Sequence, residues 1–308
     1  MGSFELFAVG NINLDITFKL PRMPSLDENI RSNETWIGTG GSAVNYSIAV
    51  KNLGYPIYLV AKAGRDAERL GLLEFLQNAG INVSKVSKSD QMDTGKVVVL
   101  LLMDSDSRIL ITYRGANDLL GIDDIPCNQG KSFYHFASVN PELVLAFIER
   151  CKEHVYSYDP GGWIFVNPYG VIELSEYVHI LHVNRIEFLN LQERTKIDVT
   201  ELQRIKGVPE IITVKRGDEG AFLYWDGRKY SGHLETSVQI IDTTGAGDAF
   251  DAAFNMFYIE TGNPLIALKH AIAAGTLKIT RIGSSSMPHR NEVSDLAGKV
   301  YVSRINSS

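Results

Sequence analysis

Apolar residues recur along this chain in alternating rhythms. Short apolar runs at 4–9, 57–61, 133–136, 154–158, 178–183 and 211–214 read as strands buried on both faces. Between several of them the spacing lengthens to that of a helix. One such stretch is 42–53, closed by Gly54; another is 66–78, with Leu70, Leu73 and Leu76 on one face; a third is 141–151, opened by Pro141. Three more helical patterns follow at 246–260, 264–280 and 292–300. Strands alternating with helices predict an α/β fold, with a mainly parallel central sheet and helices on both faces.

Two stretches break that rhythm. Residues 14–20 and 29–37 are β-rich with polar residues interspersed, as are 97–103 and 109–113 around the polar turn 104–108. They read as strands with one exposed face, which together form a small β-sheet lid from insertions at about 14–37 and 96–114. A further hairpin, 222–225 with 229–232, turns at Asp226-Gly227. No linker or internal repeat divides the chain, so one domain over 1–308 is expected.

Composition narrows the function classes. Hydrophobic residues make up 44% and charged residues 21% of 308, an ordinary globular balance. The formal net charge of −6 argues against a broad nucleic-acid footprint and leaves room for a local anion pocket. Cys127 and Cys151 have neither metal-ligand spacing nor the density of a disulfide scaffold, so two free thiols in a reducing compartment are expected. Residues 1–10 carry no signal-peptide pattern, and the apolar run 96–103 is too short to span a membrane. A cytoplasmic protein without membrane or nucleic-acid partners is expected. His135, His179 and His182 fall on predicted strands without a ligand pattern and read as packed or hydrogen-bonded.

The stretch with the most chemistry is 241–250. An apolar run ends at Ile241, a turn of Asp242, Thr243, Thr244, Gly245, Ala246 and Gly247 follows, and a helical pattern opens with Ala249, Phe250, Ala253 and Phe254 on one face. Glycines at a helix start expose backbone N–H groups, and the helix dipole adds positive character, so the turn suits an anion. Asp248 stands in the first turn of that same helix. A carboxylate beside a phosphate is unfavourable unless the phosphorus is being attacked there, which points to phosphoryl transfer with its own general base. Gly38-x-Gly40-x-x-Ala43 imitates a dinucleotide fingerprint, but it follows the predicted lid rather than the first strand and reads better as a tight turn. Neither a P-loop nor the protein-kinase motifs are present.

Three motifs, Gly40-Gly41-Ser42-Ala43-Val44-Asn45, Asn184-Arg185-Ile186-Glu187 and the 242–248 turn, stand in the order of the PfkB carbohydrate kinases, and the chain resembles that ribokinase-like family from Gly10 to Gly283. The resemblance implies the three-layer ribokinase-like fold and assigns roles by position. Asp248 matches the catalytic base, and the N–H groups of Gly245, Ala246 and Gly247 match the anion hole. Asn13, Asp15, Gly40, Gly41 and Asn45 match positions that hold acceptor hydroxyls. Asn184 and Glu187 match the motif that positions Mg²⁺ through water, and Lys215 and Gly217 follow a strand as the nucleotide loop does. Ala274, Gly275 and Gly283 match the adenine side. Asp242 and Thr244 match positions beside a monovalent-cation site, which brings K⁺ in as a candidate cofactor besides ATP and Mg²⁺. Arg114, where the lid hairpin returns, is expected to reach substrate or phosphate.

The acceptor is less fixed. Ribokinases usually carry Lys after the double glycine, where this chain has Ser42. Phe18, Trp36, Tyr46 and Tyr113 would suit stacking on a base, and archaeal-type nucleoside kinases resemble this compact plan. A nucleoside 5′-hydroxyl is therefore the expected acceptor. A sugar kinase of the ribokinase, fructokinase or 2-keto-3-deoxygluconate type is the alternative. A non-catalytic nucleoside or sugar sensor is disfavoured by the intact Asp248, and a dinucleotide oxidoreductase by the location of 38–43. A β lid with one exposed face could also pair with a second copy into a homodimer.

Overall fold

The computed structural model describes residues 5–105, 107–235 and 238–305. Phe4, the expected first residue of the first strand, lies outside the described residues. The chain opens with β1 (Glu5–Gly10), β2 (Asn13–Leu20), β3 (Glu34–Gly40), α1 (Ser42–Asn52), β4 (Tyr58–Ala63), α2 (Leu72–Asn78), β5 (Asn82–Lys88), β6 (Gly95–Leu102) and β7 (Ser107–Tyr113). It continues through β8 (Ser132–Ala137), α3 (Pro141–Arg150), β9 (Val155–Asp159), α4 (Trp163–Val166), α5 (Pro168–Ser175), β10 (Ile180–Asn184), α6 (Arg185–Thr195), α7 (Val199–Lys206) and β11 (Ile211–Lys215). The last part holds β12 (Ala221–Trp225), β13 (Arg228–Leu234), α8 (Ala246–Thr261), α9 (Pro264–Lys278), α10 (Arg290–Ala297) and β14 (Val300–Ile305).

The large sheet runs β14-β13-β12-β11-β10-β9-β8-β1-β4-β5. From β5 to β11 every neighbour is parallel, and β12, β13 and β14 then add antiparallel. Two apolar clusters cover its faces. One gathers residues of α1, α8, α9 and α10, the other residues of α3, α5 and α6. The chain winds outward from β1 in both directions, to β4 on one side and β8 on the other. The crevice beyond the C-terminal ends of β1 and β8 is therefore the topological switch point, where ligands of such sheets bind. Among the described residues no helix is long and apolar enough to cross a membrane.

The small sheet runs β3-β2-β6-β7, drawn from both expected insertions. In each pair, residues in register face the same side. Asp15 is level with Gly38 and Val97, and Thr17 with Trp36. Across β7, Val97 is level with Thr112 and Leu101 with Arg108. Asp15, Trp36 and Arg108 thus share one face, while Ile16, Phe18, Ile37, Ile111 and Tyr113 share the other.

Several expectations need correction. The helix expected over 66–78 begins only at Leu72, because Asp66 is engaged elsewhere: its carboxylate accepts from Thr94 N–H at 2.7 Å and pairs with the Lys96 ammonium at 2.9 Å. Strands β5 and β14 were not expected. They are the sheet's two edges and carry few inward apolar side chains, so no apolar run marks them. Cys127 and Cys151, expected as free thiols, are joined in a disulfide with Cα atoms 5.7 Å apart. The segment before β8 folds onto the end of α3, a proximity that a sequence separation of 24 does not reveal. The three histidines are packed as expected. His135 bonds Ser157 at 3.0 Å, His182 bonds Thr213 at 2.7 Å, and His179 accepts from Tyr156 N–H at 3.2 Å.

Candidate active site

The site begins with the turn into α8. Gly245 is its N-cap, with φ of 81°, a conformation that side chains disfavour. A Cβ there would also stand 2.5 Å from the Ser284 carbonyl. Among the described residues, Ala246 N–H is drawn to the Thr243 carbonyl at 3.3 Å, and the N–H groups of Gly245 and Gly247 have no carbonyl partner. With the dipole of a 16-residue helix behind them, these donors can receive an anion.

Asp248 follows on the first turn, and Asn45 Nδ2 donates to its Oδ2 at 2.8 Å. Burial pushes the Asp248 carboxyl up to about 7; Asp159 and Asp15 add to the shift, while the Asn45 bond and Lys215 oppose it. A carboxyl poised there can accept a proton near neutral pH.

On one side of Asp248 lie the groups carried by β2 and α1. Ser284 Oγ donates to Asp15 Oδ2 at 2.7 Å, and burial, with Asp242 adding, pushes Asp15 up to about 6. Gly40 makes room for this carboxylate, since a Cβ there would stand 1.9 Å from Asp15 Oδ2. Gly41 caps α1, and its carbonyl receives Asn45 N–H at 2.9 Å. The Asn13 side-chain oxygen accepts from Asn117 Nδ2 at 2.8 Å, and Asn117 also takes Ile12 N–H at 3.0 Å. Asp15 Oδ1 and Asn45 Oδ1 are buried and have no partner. Such atoms are costly unless a ligand completes them.

On the other side opens a cavity of about 500 Å³, bounded by Asp248, the 245–247 turn and the ends of β9, β10 and β11. Lys215 ends β11, and its ammonium lies 2.7 Å from Asp159 Oδ2 and 3.0 Å from Asp251 Oδ1. A Cβ on Gly247 would stand 3.4 Å from that ammonium, so the cation borders the anion turn. Lys215 holds Asp159 below the usual carboxylate range against the effect of burial, while burial pushes Asp251 well up. Two carboxyls thus face one ammonium. Asn184 and Glu187 cap α6 reciprocally: Glu187 N–H reaches Asn184 Oδ1 at 2.9 Å, and Asn184 N–H reaches Glu187 Oε2 at 2.8 Å. Both line the cavity, and burial with the Asp159 charge pushes Glu187 up to about 7. Gly217, Ile240, Ile272, Gly275 and Ile279 form a more apolar wall, and Ala274, next to Gly275 in the chain, is buried.

The remaining expected residues lie apart from the cavity wall or play a lacing part. Asp242 accepts from Thr244 N–H at 2.8 Å and Gly283 N–H at 3.0 Å, joining two loops beneath the anion turn. Arg114 turns its guanidinium to Asp118 and lies over the Trp163 ring, 5.6 Å from the centroid. The lid hairpin instead supplies Arg108, which lines the cavity and donates to Thr244 Oγ1 at 3.1 Å. Of the four aromatics, Tyr46 is core, stacked on His135 at 3.9 Å, and only Trp36 shares the Asp15 face. Sequence reasoning passed over Arg108 and Asp251, and it did not foresee that the Ser284 hydroxyl bonds Asp15 or that the Asp159 carboxylate meets Lys215. Asp251 had a signal, since it follows Asp248 by one helical turn.

A family model described as pfkB family carbohydrate kinase matches residues 3–290. The chain belongs to the pfkB family. It is a phosphotransferase with an alcohol group as acceptor, of the nucleoside or sugar kinase type. This pfkB kinase is 28% identical over 294 residues to an ATP-dependent ribose-1-phosphate kinase of Halopiger xanaduensis, covering 94% of this chain and 96% of that one. It is 25% identical over 263 residues to a nucleoside kinase of Methanocaldococcus jannaschii, covering 83% and 84%. The solved structure of a nucleoside kinase from M. jannaschii superposes with a TM-score of 0.85 at 23% identity, covering 96% of this chain and 99% of that one. A ribokinase of Thermotoga maritima gives 0.81 at 24%, covering 96% and 100%. The fold is ribokinase-like.

Proposed function

We propose that this kinase transfers the γ-phosphoryl group of ATP to the 5′-hydroxyl of a nucleoside. The observation that carries the reading is the pair of unpartnered buried oxygens, Asp15 Oδ1 and Asn45 Oδ1, set beside Asp248 at the helix start. They suit the hydroxyls of a ribose, with Asn13, Gly40 and Gly41 shaping the same pocket. Asp248 takes the proton of the primary hydroxyl, the oxygen attacks the γ-phosphorus, and the bond to the β-phosphate oxygen breaks to release ADP. The N–H groups of Gly245, Ala246 and Gly247 hold the phosphoryl oxygens as charge moves. Lys215 and Gly217 border the phosphates, and Ala274, Gly275 and Gly283 lie toward the adenine.

Asn184 and Glu187 would hold Mg²⁺ through water. Both line the cavity, and two such residues suit an ion carried largely by phosphates and water. Mg²⁺ neutralises phosphate charge; positioning belongs to the protein.

The small sheet serves as the lid of a single kinase domain. Its Arg108 brings a cation over the phosphoryl group. Arg108→Ala is expected to lower kcat about ten- to hundred-fold with little change in acceptor KM; steady-state kinetics with each substrate varied would show it, and an unchanged kcat would remove Arg108 from the chemistry. On the acceptor side, Asp15→Ala is expected to raise acceptor KM about 10- to 100-fold and to leave KM for ATP nearly constant. Gly40→Ala should reproduce that pattern, because its methyl group would displace the Asp15 carboxylate. Equal rises in both KM values would place Asp15 elsewhere. The outer face of the lid exposes Ile37, Ile111 and Tyr113, where a second copy would pair; a monomer in sedimentation at all concentrations would refute that dimer.

The competing acceptor is a sugar such as ribose or ribose 1-phosphate, after the relatives named for them. It is favoured by the loss of Phe18, Tyr46 and Tyr113 as stacking partners, which leaves Trp36 as the aromatic of those four facing Asp15. ATP consumption with Mg²⁺ across a panel of nucleosides and sugars separates the two. Turnover with nucleosides is expected, and turnover with free sugars alone would overturn the nucleoside reading.

A further inference from the structure

Lys278, the last residue of α9, is fully buried, a rare state for lysine. Its ammonium donates to the Arg281 carbonyl at 3.2 Å. That carbonyl belongs to one of two loops that are tied together. Ile241 N–H and Asp242 N–H donate to the Ile279 carbonyl at 2.8 and 3.2 Å, and Gly283 N–H donates to the Asp242 carboxylate at 3.0 Å. Gly245, the first residue of the anion turn, rests against the Ser284 carbonyl. The carboxylates acting on the ammonium are Asp242 and Asp248; Arg281 and Arg108 act against it, and burial lowers its pKa.

The family resemblance brings K⁺ to this loop. The residues present do not fit that ion. Both Asp242 oxygens already accept backbone N–H groups, from Thr244 at 2.8 Å and Gly283 at 3.0 Å, and a lysine ammonium already donates to a carbonyl of the 279–284 loop, that of Arg281, at 3.2 Å. A site that holds a fixed cation has no need of a second one, and like charges at such range repel.

We infer that Lys278 is a built-in cation that replaces a monovalent activator, holding the 241–245 and 279–284 loops in register under the anion turn. It is a positioning residue and acts on phosphoryl transfer through the turn. The consequence for catalysis rests on the kinase reading above; the consequence for stability does not.

The test compares the full chain in potassium chloride and in tetramethylammonium chloride of equal ionic strength. The wild-type protein is expected to melt at the same temperature in both salts and, with any acceptor that it turns over, to show the same kcat. Lys278→Met and Lys278→Gln vacate the charge. They are expected to melt lower in tetramethylammonium and to recover in K⁺, with kcat responding more than either KM. A wild-type melting temperature or kcat raised specifically by K⁺ overturns the inference. So do neutral variants that K⁺ does not restore, including variants that fail to fold in either salt, since a vacated cation site should refill. The melting comparison needs no acceptor, so it stands or falls apart from the nucleoside assignment.

Discussion

Asp248→Asn is expected to lower kcat by about 10²- to 10⁴-fold and to make the apo protein more heat-stable above pH 7. The substitution keeps the acceptor atom that Asn45 donates to, so the first turn of α8 should stay in place. It removes the proton acceptor, so KM for ATP should change little. In the wild type, kcat should rise with pH through about 7 as the Asp248 carboxyl loses its proton.

The same ionisation costs stability, and its sign is fixed by the direction of the shift. Asp248 is raised from 3.8 to about 7, so the folded state favours the protonated form. The stability that this contributes is fully present below pH 3.8 and is lost as pH rises through about 7. Asp15, raised to about 6, and Glu187, raised to about 7, act in the same window with the same sign. Asp66, lowered to about 2, acts below it. The apo protein should therefore melt progressively lower from about pH 4 to pH 7, and part of that slope should vanish in Asp248→Asn. Calorimetry over this range, paired with kcat–pH profiles, reads both effects. A wild-type kcat in the variant would remove Asp248 as the base.

Lys215→Met is expected to destabilise the protein by about 3–5 kcal/mol at pH 7. Asp159 and Asp251 meet at this ammonium inside the sheet's C-terminal edge, and Asp251 is nearly inaccessible. Methionine fills the space of the stem and leaves the Asp159 charge without its counter-ion. His182 Nδ1, 3.4 Å from Asp251 Oδ1, cannot take over, because burial pushes its pKa down to about 3. The deficit should shrink as pH falls and Asp159 gains a proton, the opposite of the wild-type cluster, in which Lys215 holds that carboxyl ionised. Urea unfolding at pH 7 and pH 5 would measure both. A loss below about 1 kcal/mol at pH 7 would mean that the ammonium is not the counter-ion of this cluster.

Where local sequence carries the signal, the sequence reading and the structure agree. The turn at 242–248 is contiguous, so glycine, dipole and carboxylate could be read together. The central strands bury both faces and announce themselves as apolar runs; the edge strands β5 and β14 do not. Groups that reach the site from afar left little trace. Arg108 is one hairpin arginine among several polar residues, and the Ser284 hydroxyl meets Asp15 across a separation of 269. Some errors were avoidable by counting. Phe18 lies an odd number of residues from Asp15 on one strand, so it faces away, while the register of β3 brings Trp36 to the Asp15 face. The disulfide was not legible, because it depends on where α3 ends in space.

The most direct test of 5′-phosphoryl transfer is the identity of the product. Phosphorus NMR of a reaction with ATP, Mg²⁺ and a purine nucleoside should show a new monoester coupled to the two 5′ protons, with ADP formed in equal amount. A phosphate found on a secondary hydroxyl, or ADP formed only when a free sugar replaces the nucleoside, would contradict it.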